Sequence, residues 1–292
     1  MRVGPFRVRT PGPILEAVWF RSVSMLTLAI SAMGFRYHLF QDGESLEVEP
    51  VDVAIPGWPK GLDGLRIAQW TDLHYGPYSQ DADLHRAVAL TQEKKPDLIV
   101  MTGDMLSVSN KYLTGLPVIL GKLDAPLGKF ACLGNHDFHF GPVEEKIRCL
   151  EDSGFTVLRN RGLVIEFRGE RFGLAGVDDY WKGIPDPEEA LREIPSDVPT
   201  ILLAHIPDFV ADLKDHSPVL VISGHTHGGQ VCVGQKMALY TASDFGGKFR
   251  SGLIETGNTR VYISRGVGVA NVPFRRKCPP EIPILVLRRN EG

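Results

Sequence analysis

Five short polar clusters, each directly after an apolar run, are the feature that most constrains how this sequence can fold. They are Asp72-Leu73-His74, Gly103-Asp104, Gly134-Asn135-His136-Asp137, Ala204-His205 and Gly224-His225-Thr226-His227-Gly228-Gly229-Gln230. The runs before them are rich in β-branched and aliphatic residues, which is typical of buried strands. Because the carboxyl ends of parallel strands meet at one edge of a sheet, we expect all five clusters to lie on one rim.

Each cluster alone is weak evidence for a site. Asp-x-His and Gly-Asp occur in ordinary turns, and a lone histidine such as His205 is more often a core or surface residue than a ligand. Together the clusters supply three carboxylates, the Asn135 carboxamide and five imidazoles. Oxygen and nitrogen donors in this number, at five strand ends, predict a metal pair and hydrolysis of phosphate esters.

The first part of the globular region alternates strand-like and helix-like segments. This spacing predicts βαβ units with parallel strands. The predicted strands are Leu65–Thr71, Leu98–Thr102, Lys129–Leu133 and Thr156–Val157, and the predicted helices are Asp81–Glu93, Lys111–Lys122 and Val143–Asp152.

The second part is mainly strand-like, and a second sheet packed on the first is the economical arrangement. The predicted strands are Leu163–Phe167, Phe172–Gly176, Thr200–Ala204, Val219–Ser223, Gly252–Glu255, Val261–Ser264 and Ile284–Leu287, and the predicted helices are Pro187–Glu193 and Pro207–Lys214.

Composition excludes several classes of protein. Of the 292 residues, 43% are apolar and 23% charged, with a net charge of −3, and no basic stripe is present, so no nucleic-acid partner is expected. The four cysteines form no Cys-x-x-Cys pair, which argues against a disulfide framework or a structural zinc site. We expect one domain over residues 44–292, with its globular part beginning after the Pro- and Gly-rich link Ile55–Gly64.

Residues 1–43 differ from the rest and predict a hydrophobic segment for targeting or membrane association. The 14 residues Ser22–Phe35 are uncharged and mostly apolar, and as a helix they reach about 21 Å, short of the roughly 30 Å hydrocarbon core. Three interpretations stay open: a signal-peptide hydrophobic region, a short membrane anchor, or an amphipathic helix lying on a bilayer or on the protein itself. If the segment inserts, the arginine excess before it predicts an extracytoplasmic catalytic domain.

The clusters, in this order, resemble the motifs of the calcineurin-like metallophosphoesterase superfamily, from about Leu65 to Leu287. The resemblance implies a four-layer α/β/β/α sandwich of two mixed sheets, with a dinuclear metal site at the strand ends. The Gly224–Gln230 run, the Ile263–Gly268 stretch and Pro280-Glu281-Ile282 are most similar to the YkuE/YaeI-type bacterial branch. That branch is similar to UDP-2,3-diacylglucosamine pyrophosphatases and often carries an N-terminal membrane segment.

Carried over residue by residue, the resemblance implies two metal sites that share one carboxylate. Asp104 would bridge the two divalent metal ions, with Asp72, His74 and His227 on one metal and Asn135, His205 and His225 on the other. Aspartate suits the bridge because its two oxygens can span cations about 3.5 to 4 Å apart. Nitrogen and oxygen donors without thiolate suit manganese, zinc, iron or cobalt.

The resemblance also implies attack by a metal-bridging hydroxide on a phosphodiester or pyrophosphate bond. His136 would protonate the leaving oxygen or stabilise its charge, and Asp137 would orient that imidazole. The glycines of the clusters fit sharp turns beneath a ligand. Arg265 is either a phosphate contact or a solvated loop residue.

The expected substrate is lipid-linked or nucleotide-linked, with UDP-2,3-diacylglucosamine as an example. A broad-specificity phosphomonoesterase and a metal-holding module without catalysis are the alternatives. Protein Ser/Thr phosphatases fit less well, because no arginine follows shortly after Asp104. Purple acid phosphatases fit less well, because Ser107 stands where they carry an iron-binding tyrosine. A UDP-linked lipid, expected on the cytoplasmic face, conflicts with an exported catalytic domain.

Overall fold

The computed structural model describes residues 13–40, 45–213, 218–233 and 237–290. Within the first helix, side chains are described at residues 21–22 and from residue 24 onward. The predicted domain boundary between residues 43 and 44, and the predicted end of a helix at Lys214, lie outside these ranges.

Helices and strands alternate through the first half of the described chain, and strands dominate the second half. In chain order the elements are α1 Pro13–Ala32, β1 Pro50–Pro56, β2 Arg66–Trp70, α2 Asp81–Glu93, β3 Leu98–Thr102, α3 Leu116–Leu120, β4 Lys129–Cys132, α4 Val143–Asp152, β5 Thr156–Val157, β6 Arg161–Phe167, β7 Glu170–Gly176, α5 Pro187–Leu191, β8 Thr200–Leu203, β9 Leu220–Ser223, β10 Cys232–Val233, β11 Met237–Ala238, β12 Gly252–Thr256, β13 Thr259–Ile263 and β14 Ile284–Asn290.

The strands form two six-stranded mixed sheets and one small hairpin. The first sheet has the order β1-β14-β2-β3-β4-β5, in which β2, β3, β4 and β5 are parallel and β14 is antiparallel to β2. The second has the order β12-β13-β9-β8-β7-β6, with β7, β8, β9 and β13 parallel. The β10–β11 hairpin stands apart from both sheets.

The main hydrophobic core lies between the two sheets. Ile67 and Val100 of the first sheet and Leu203 and Ile222 of the second belong to the same buried cluster. Gln69 links the sheets through a polar contact, because its Nε2 donates to the Ser223 carbonyl oxygen at 2.8 Å. The sheets are therefore packed face to face.

Helices cover the outer faces of this pair of sheets. On the first sheet, Trp70 and Met101 pack in one buried cluster with residues of α2, α3 and α4. On the second, Leu202 and Val221 pack with residues of α5 and of a short 3-10 helix, Pro207–Asp212. Both faces of each sheet are thus buried, which explains the uninterrupted apolar runs of the sequence. The predicted four-layer α/β/β/α sandwich of two mixed sheets is confirmed.

The structure differs from the predictions at β1 and over the segment Lys111–Lys122. The globular part begins at β1, which pairs in parallel with β14, and not after the link Ile55–Gly64. The predicted helix Lys111–Lys122 is a 3-10 helix, Asn110–Gly115, followed by the five-residue α3. Pro117 explains the interruption, since proline has no N–H to continue the preceding turns and favours a helix start.

The N-terminal helix α1 packs on the sandwich. Ser31 Oγ donates to the Pro77 carbonyl oxygen at 3.0 Å, and Tyr37 N donates to the Tyr78 carbonyl oxygen at 3.0 Å, so the helix and the chain after it contact the loop before α2. Among the described residues, no helix, α1 included, combines the length and apolarity that crossing a membrane requires.

Candidate metal centre

The five polar clusters follow the carboxyl ends of β2, β3, β4, β8 and β9. β2, β3 and β4 are mutually parallel in the first sheet, and β8 and β9 are parallel neighbours in the second. The clusters from both sheets meet at one rim, where the His225 backbone N donates to Asp72 Oδ2 at 3.0 Å. The five clusters therefore lie together at one rim, as the sequence predicted.

Five side chains of this rim are carried by left-handed backbone. The φ angles are 51° at Asp72, 42° at His74, 56° at Asp104, 70° at His225 and 51° at His227. Residues other than glycine rarely adopt such angles, and where they persist the surrounding structure must hold them. Here each strand turns sharply at its end, so that polar side chains gather at the rim.

The first cluster consists of Asp72, His74 and His227, whose candidate ligand atoms all lie within 4.8 Å of one another. His227 Nε2 lies 3.0 Å from His74 Nε2 and 3.4 Å from Asp72 Oδ1. All three residues are buried. Two imidazole nitrogens and a carboxylate oxygen facing one point form a suitable donor set for a divalent cation.

The second cluster consists of Asp104, His205 and His225, again within 4.8 Å. His205 Nδ1 donates to the Thr102 carbonyl oxygen at 2.6 Å, which leaves Nε2 at 3.2 Å from Asp104 Oδ2. A backbone carbonyl that fixes one ring nitrogen is the usual support of a metal-binding histidine. The same Asp104 oxygen lies 3.6 Å from His74 Nε2 of the first cluster.

Asn135 completes the set of seven predicted ligands. It lines the same cleft as Asp104 and is only 4% exposed. Its buried side-chain oxygen has no hydrogen-bond partner among the described residues. An unpaired buried amide oxygen is costly unless a ligand satisfies it. The residues present therefore fit a pair of cations, and the rim brings all seven together.

The imidazole pKa values separate His205 from the other histidines. Burial lowers the pKa of His74 to about 3 and holds those of His225 and His227 well below their usual value. Burial also acts to lower the pKa of His205, but the Asp104 carboxylate outweighs it and the pKa rises to about 10. Three imidazoles are thus neutral, the form that binds metal, while His205 carries a proton that a cation has to displace.

Asp137 and Arg265 contact the loops around the rim. The buried Asp137 carboxylate accepts hydrogen bonds from the backbone N–H groups of Gly134, Asp104 and Met105 at 2.9 to 3.0 Å, and so joins two loops. Arg265 forms ion pairs with Glu281 and Glu47 at 2.6 and 2.5 Å. Its guanidinium therefore stabilises the loops around the rim.

Three further residues lie near the centre, and the sequence analysis did not single them out. Arg275 is 3% exposed and donates to the Gly268 carbonyl oxygen at 2.6 Å, which fixes a loop beside His227. Trp181 lies edge-on to the His225 ring with 4.4 Å between ring centroids. Asp179 accepts the Trp181 backbone N–H at 2.9 Å, and burial raises its pKa to about 7. Asp179 follows the end of β7 by three residues, so a search of polar residues after apolar runs could have found it, whereas Arg275 and Trp181 lie in loops without such a signal.

The centre opens into a cleft of about 350 Å³. His136 lines it, with its ring centroid 4.7 Å from that of His74, and Trp181, Leu239 and Tyr240 contribute apolar wall. Polar groups at the base and apolar groups along the wall are typical of sites for organic phosphate esters.

Comparison with known proteins agrees with this geometry. Residues 65–229 match the family model described as calcineurin-like phosphoesterase. The uncharacterised metallophosphoesterase YkuE of Bacillus subtilis is 34% identical over 259 residues, which cover 87% of this chain and 90% of YkuE. The phosphodiesterase YaeI of Escherichia coli is 33% identical over 229 residues, 76% of this chain and 82% of YaeI.

A vertebrate relative is longer. The transmembrane protein with metallophosphoesterase domain of Danio rerio is 31% identical over 279 residues, which cover 91% of this chain and 63% of the relative. The polar clusters of the rim lie almost entirely inside the segment that matches the family model. This chain therefore belongs to the calcineurin-like phosphoesterase family, in the branch of YkuE and YaeI, and is a phosphoesterase.

Proposed function

We propose that this chain hydrolyses phosphodiester or pyrophosphate bonds with two divalent cations, on a lipid-linked or nucleotide-linked substrate such as UDP-2,3-diacylglucosamine. The position of Asp104 carries the proposal. Its Oδ2 lies 3.2 Å from His205 Nε2 and 3.6 Å from His74 Nε2, between the two clusters of candidate ligands. One carboxylate shared by two donor sets is the arrangement that a cation pair requires.

Each proposed ligand set combines residues of both sheets. Asp72 and His74 follow β2 and join His227, which follows β9; Asn135 follows β4 and joins His205 and His225, which follow β8 and β9. Manganese, zinc, iron and cobalt all suit these oxygen and nitrogen donors. When bound, such a pair lowers the pKa of bound water towards neutrality and polarises phosphoryl oxygens.

His136 is the residue we propose to act on the leaving group. Its backbone N–H donates to Asp104 Oδ1 at 2.8 Å, which fixes its position beside the shared carboxylate, and its ring faces the cleft. From there the imidazole can protonate an alkoxide or phosphate oxygen as it leaves. Asp137 supports this role indirectly, since it holds the backbone of the loop that carries His136.

The substrate class and the setting rest on the relatives and on the N-terminal segment. YaeI is named a phosphodiesterase, which favours diesters over monoesters. The Danio rerio relative is named a transmembrane protein, which favours membrane association through residues 1–43. An enzyme held at a membrane has access to substrates that are linked to lipid.

Hydrolysis of model esters by the full-length chain tests the proposal. The protein is stripped with a chelator, titrated with manganese, and assayed on bis-p-nitrophenyl phosphate and p-nitrophenyl phosphate. We expect activity that depends on metal, prefers the diester and is lost in Asp104→Ala. Asp197→Ala is the matched control, because Asp197 is exposed and does not line the cleft.

Two results would change the assignment. Preference for p-nitrophenyl phosphate would establish a phosphomonoesterase instead. Activity that survives in Asp104→Ala would show that the shared carboxylate is not the centre of the reaction. UDP-2,3-diacylglucosamine is assayed in the same series, and its hydrolysis to UMP would identify the bond that is cleaved.

A further inference from the structure

The described side chains of helix α1 place polar residues against the protein and large apolar residues towards solvent. Thr27 and Ser31 are 2% and 7% exposed and lie against the domain, whereas Met25 and Leu26 are 68% and 55% exposed. In a helix that covers a soluble domain the apolar stripe faces the core and the polar residues face water. In the described part of α1 the buried side chains Thr27 and Ser31 are polar and the most exposed ones are Met25 and Leu26, although Ile30 packs on the core and Arg21 is exposed.

A second exposed apolar element is the β10–β11 hairpin with the residues that follow it. Val233 is 53% exposed, Met237 59%, Leu239 67% and Tyr240 74%. Val233 and Met237 pair across the hairpin, so their side chains are neighbours. Large apolar side chains grouped on a surface mark a place where another apolar body binds.

The two elements border the same opening. Ser24 and Thr27 of α1 line the cleft of the candidate metal centre, and so do Leu239 and Tyr240, which follow the hairpin. We call the exposed apolar residues of α1 and of the hairpin the cleft-mouth face: Met25, Leu26, Leu28, Val233, Met237, Leu239 and Tyr240. A body that covers this face therefore meets the entrance to the cleft.

The charge of the N-terminal segment indicates what kind of surface covers the cleft-mouth face. Residues 1–40 contain five arginines and one glutamate, a formal net charge of +4; the whole chain carries −3, so the remaining residues carry −7. Arginine combined with exposed apolar side chains is the pattern of helices that lie in the headgroup region of anionic membranes. An acidic protein surface would complement the arginines but would leave the apolar face uncovered.

We propose that the cleft-mouth face docks on a lipid bilayer that contains anionic lipid, with the entrance of the metal centre turned towards the headgroups. Helix α1 lies in the plane of the interface, and the hairpin inserts beside it. The docking itself is independent of the reaction. That the substrate enters from the bilayer is a corollary, and it rests on the proposed phosphodiesterase function.

Vesicle co-sedimentation of the full-length chain tests the docking. We expect binding to vesicles of phosphatidylcholine with phosphatidylglycerol, and weaker binding to phosphatidylcholine alone or at high salt. Val233→Ser/Met237→Ser should lower the partition coefficient about tenfold. Val118→Ser is the matched control, because Val118 on α3 is 66% exposed and lies away from the cleft.

The outcomes separate docking from catalysis and from self-association. Val233 and Met237 do not line the cleft, so hydrolysis of bis-p-nitrophenyl phosphate by the double variant should stay unchanged. No vesicle binding by the wild-type chain, or equal losses in the double variant and in Val118→Ser, overturns the proposal. Vesicle binding by the double variant that is as strong as that of the wild-type chain also overturns the proposal. If the double variant differs from the wild-type chain only in its oligomeric state, the cleft-mouth face binds a second copy of the chain. An inactive protein that still binds vesicles leaves the docking supported and refutes the proposed function.

Discussion

Gly224 lies so close to Thr71 and Asp72 that a larger residue has no room. A Cβ at this position would be 2.2 Å from Thr71 Oγ1 and 2.3 Å from Asp72 Oδ2. We expect Gly224→Ala to lower the free energy of unfolding by about 1–3 kcal/mol, the usual effect of overpacking. Because Asp72 has to move, the variant should also retain less metal, measured by mass spectrometry after gel filtration.

Gly247 offers the control for this change. It is exposed, and a Cβ there would meet no atom within 4 Å. Gly247→Ala should leave both the melting temperature and the metal content unchanged. Equal effects of the two substitutions would contradict the steric argument.

The loss of activity on substituting His136 should increase with the basicity of the leaving group. An alkoxide needs a proton as it leaves, whereas p-nitrophenolate does not. His136→Ala should therefore lower kcat by about 10²- to 10⁴-fold on an alkyl diester and by much less on bis-p-nitrophenyl phosphate. Steady-state kinetics on both esters give the comparison, and an equal decrease would assign His136 to binding instead of proton transfer.

The candidate ligands could be predicted from the sequence because each follows a strand within a few residues. Asp72, Asp104 and His205 directly follow apolar runs, so local pattern and resemblance both identify them. Arg275 and Trp181 could not be identified in this way. They reach His227 and His225 from loops far along the chain, and only the tertiary packing brings them there.

At the scale of elements, one carboxylate holds together the loops after β3 and β4. Asp137 accepts backbone N–H groups from both of them. Asp137→Asn places an amide donor against those N–H groups, which should cost about 1–3 kcal/mol of stability and weaken metal binding. Chemical denaturation and a metal titration measure the two effects.

Asp197→Asn makes the same chemical change at an exposed position and should have neither effect. Metal affinity in Asp137→Asn equal to that of the wild type would show that the loops keep their positions without this carboxylate.

Most buried strands and α2 were predictable, whereas β1 and the β10–β11 hairpin were not. The predicted helix Asp81–Glu93 agrees with α2 at both ends, and Leu98–Thr102 agrees with β3. Strand β1 was obscured by the prolines at its ends, although Val51, Val53 and Ile55 alternate with period two. The two-residue strands of the β10–β11 hairpin are too short to produce a periodic signal.

For the whole molecule, metal binding should be linked to the loss of a proton. Burial acts to lower the pKa of His205, but Asp104 outweighs it and the pKa is about 10, so the imidazole is protonated at pH 8 in the metal-free protein. A cation at the Asp104–His205–His225 cluster has to displace that proton. Apparent affinity should therefore rise about tenfold per pH unit below this pKa.

Calorimetric titration with manganese in two buffers of different ionisation enthalpy measures the released proton. The observed heats should differ by about one buffer ionisation enthalpy per cation at this cluster. In His205→Gln that difference should disappear. Identical heats in both buffers with the wild-type chain would contradict the assignment of a charged His205.

The distribution of the candidate ligands between the sheets has a consequence for how the protein is made. Each proposed set draws on strand ends before residue 136 and on strand ends after residue 204. While the chain emerges from the ribosome, its first half exposes only Asp72, His74, Asp104 and Asn135, an incomplete donor set for either cation. The two proposed donor sets are complete only when translation has passed His227, and the first sheet is complete only with β14, so the finished sandwich, and not a nascent segment, meets the cations of its compartment.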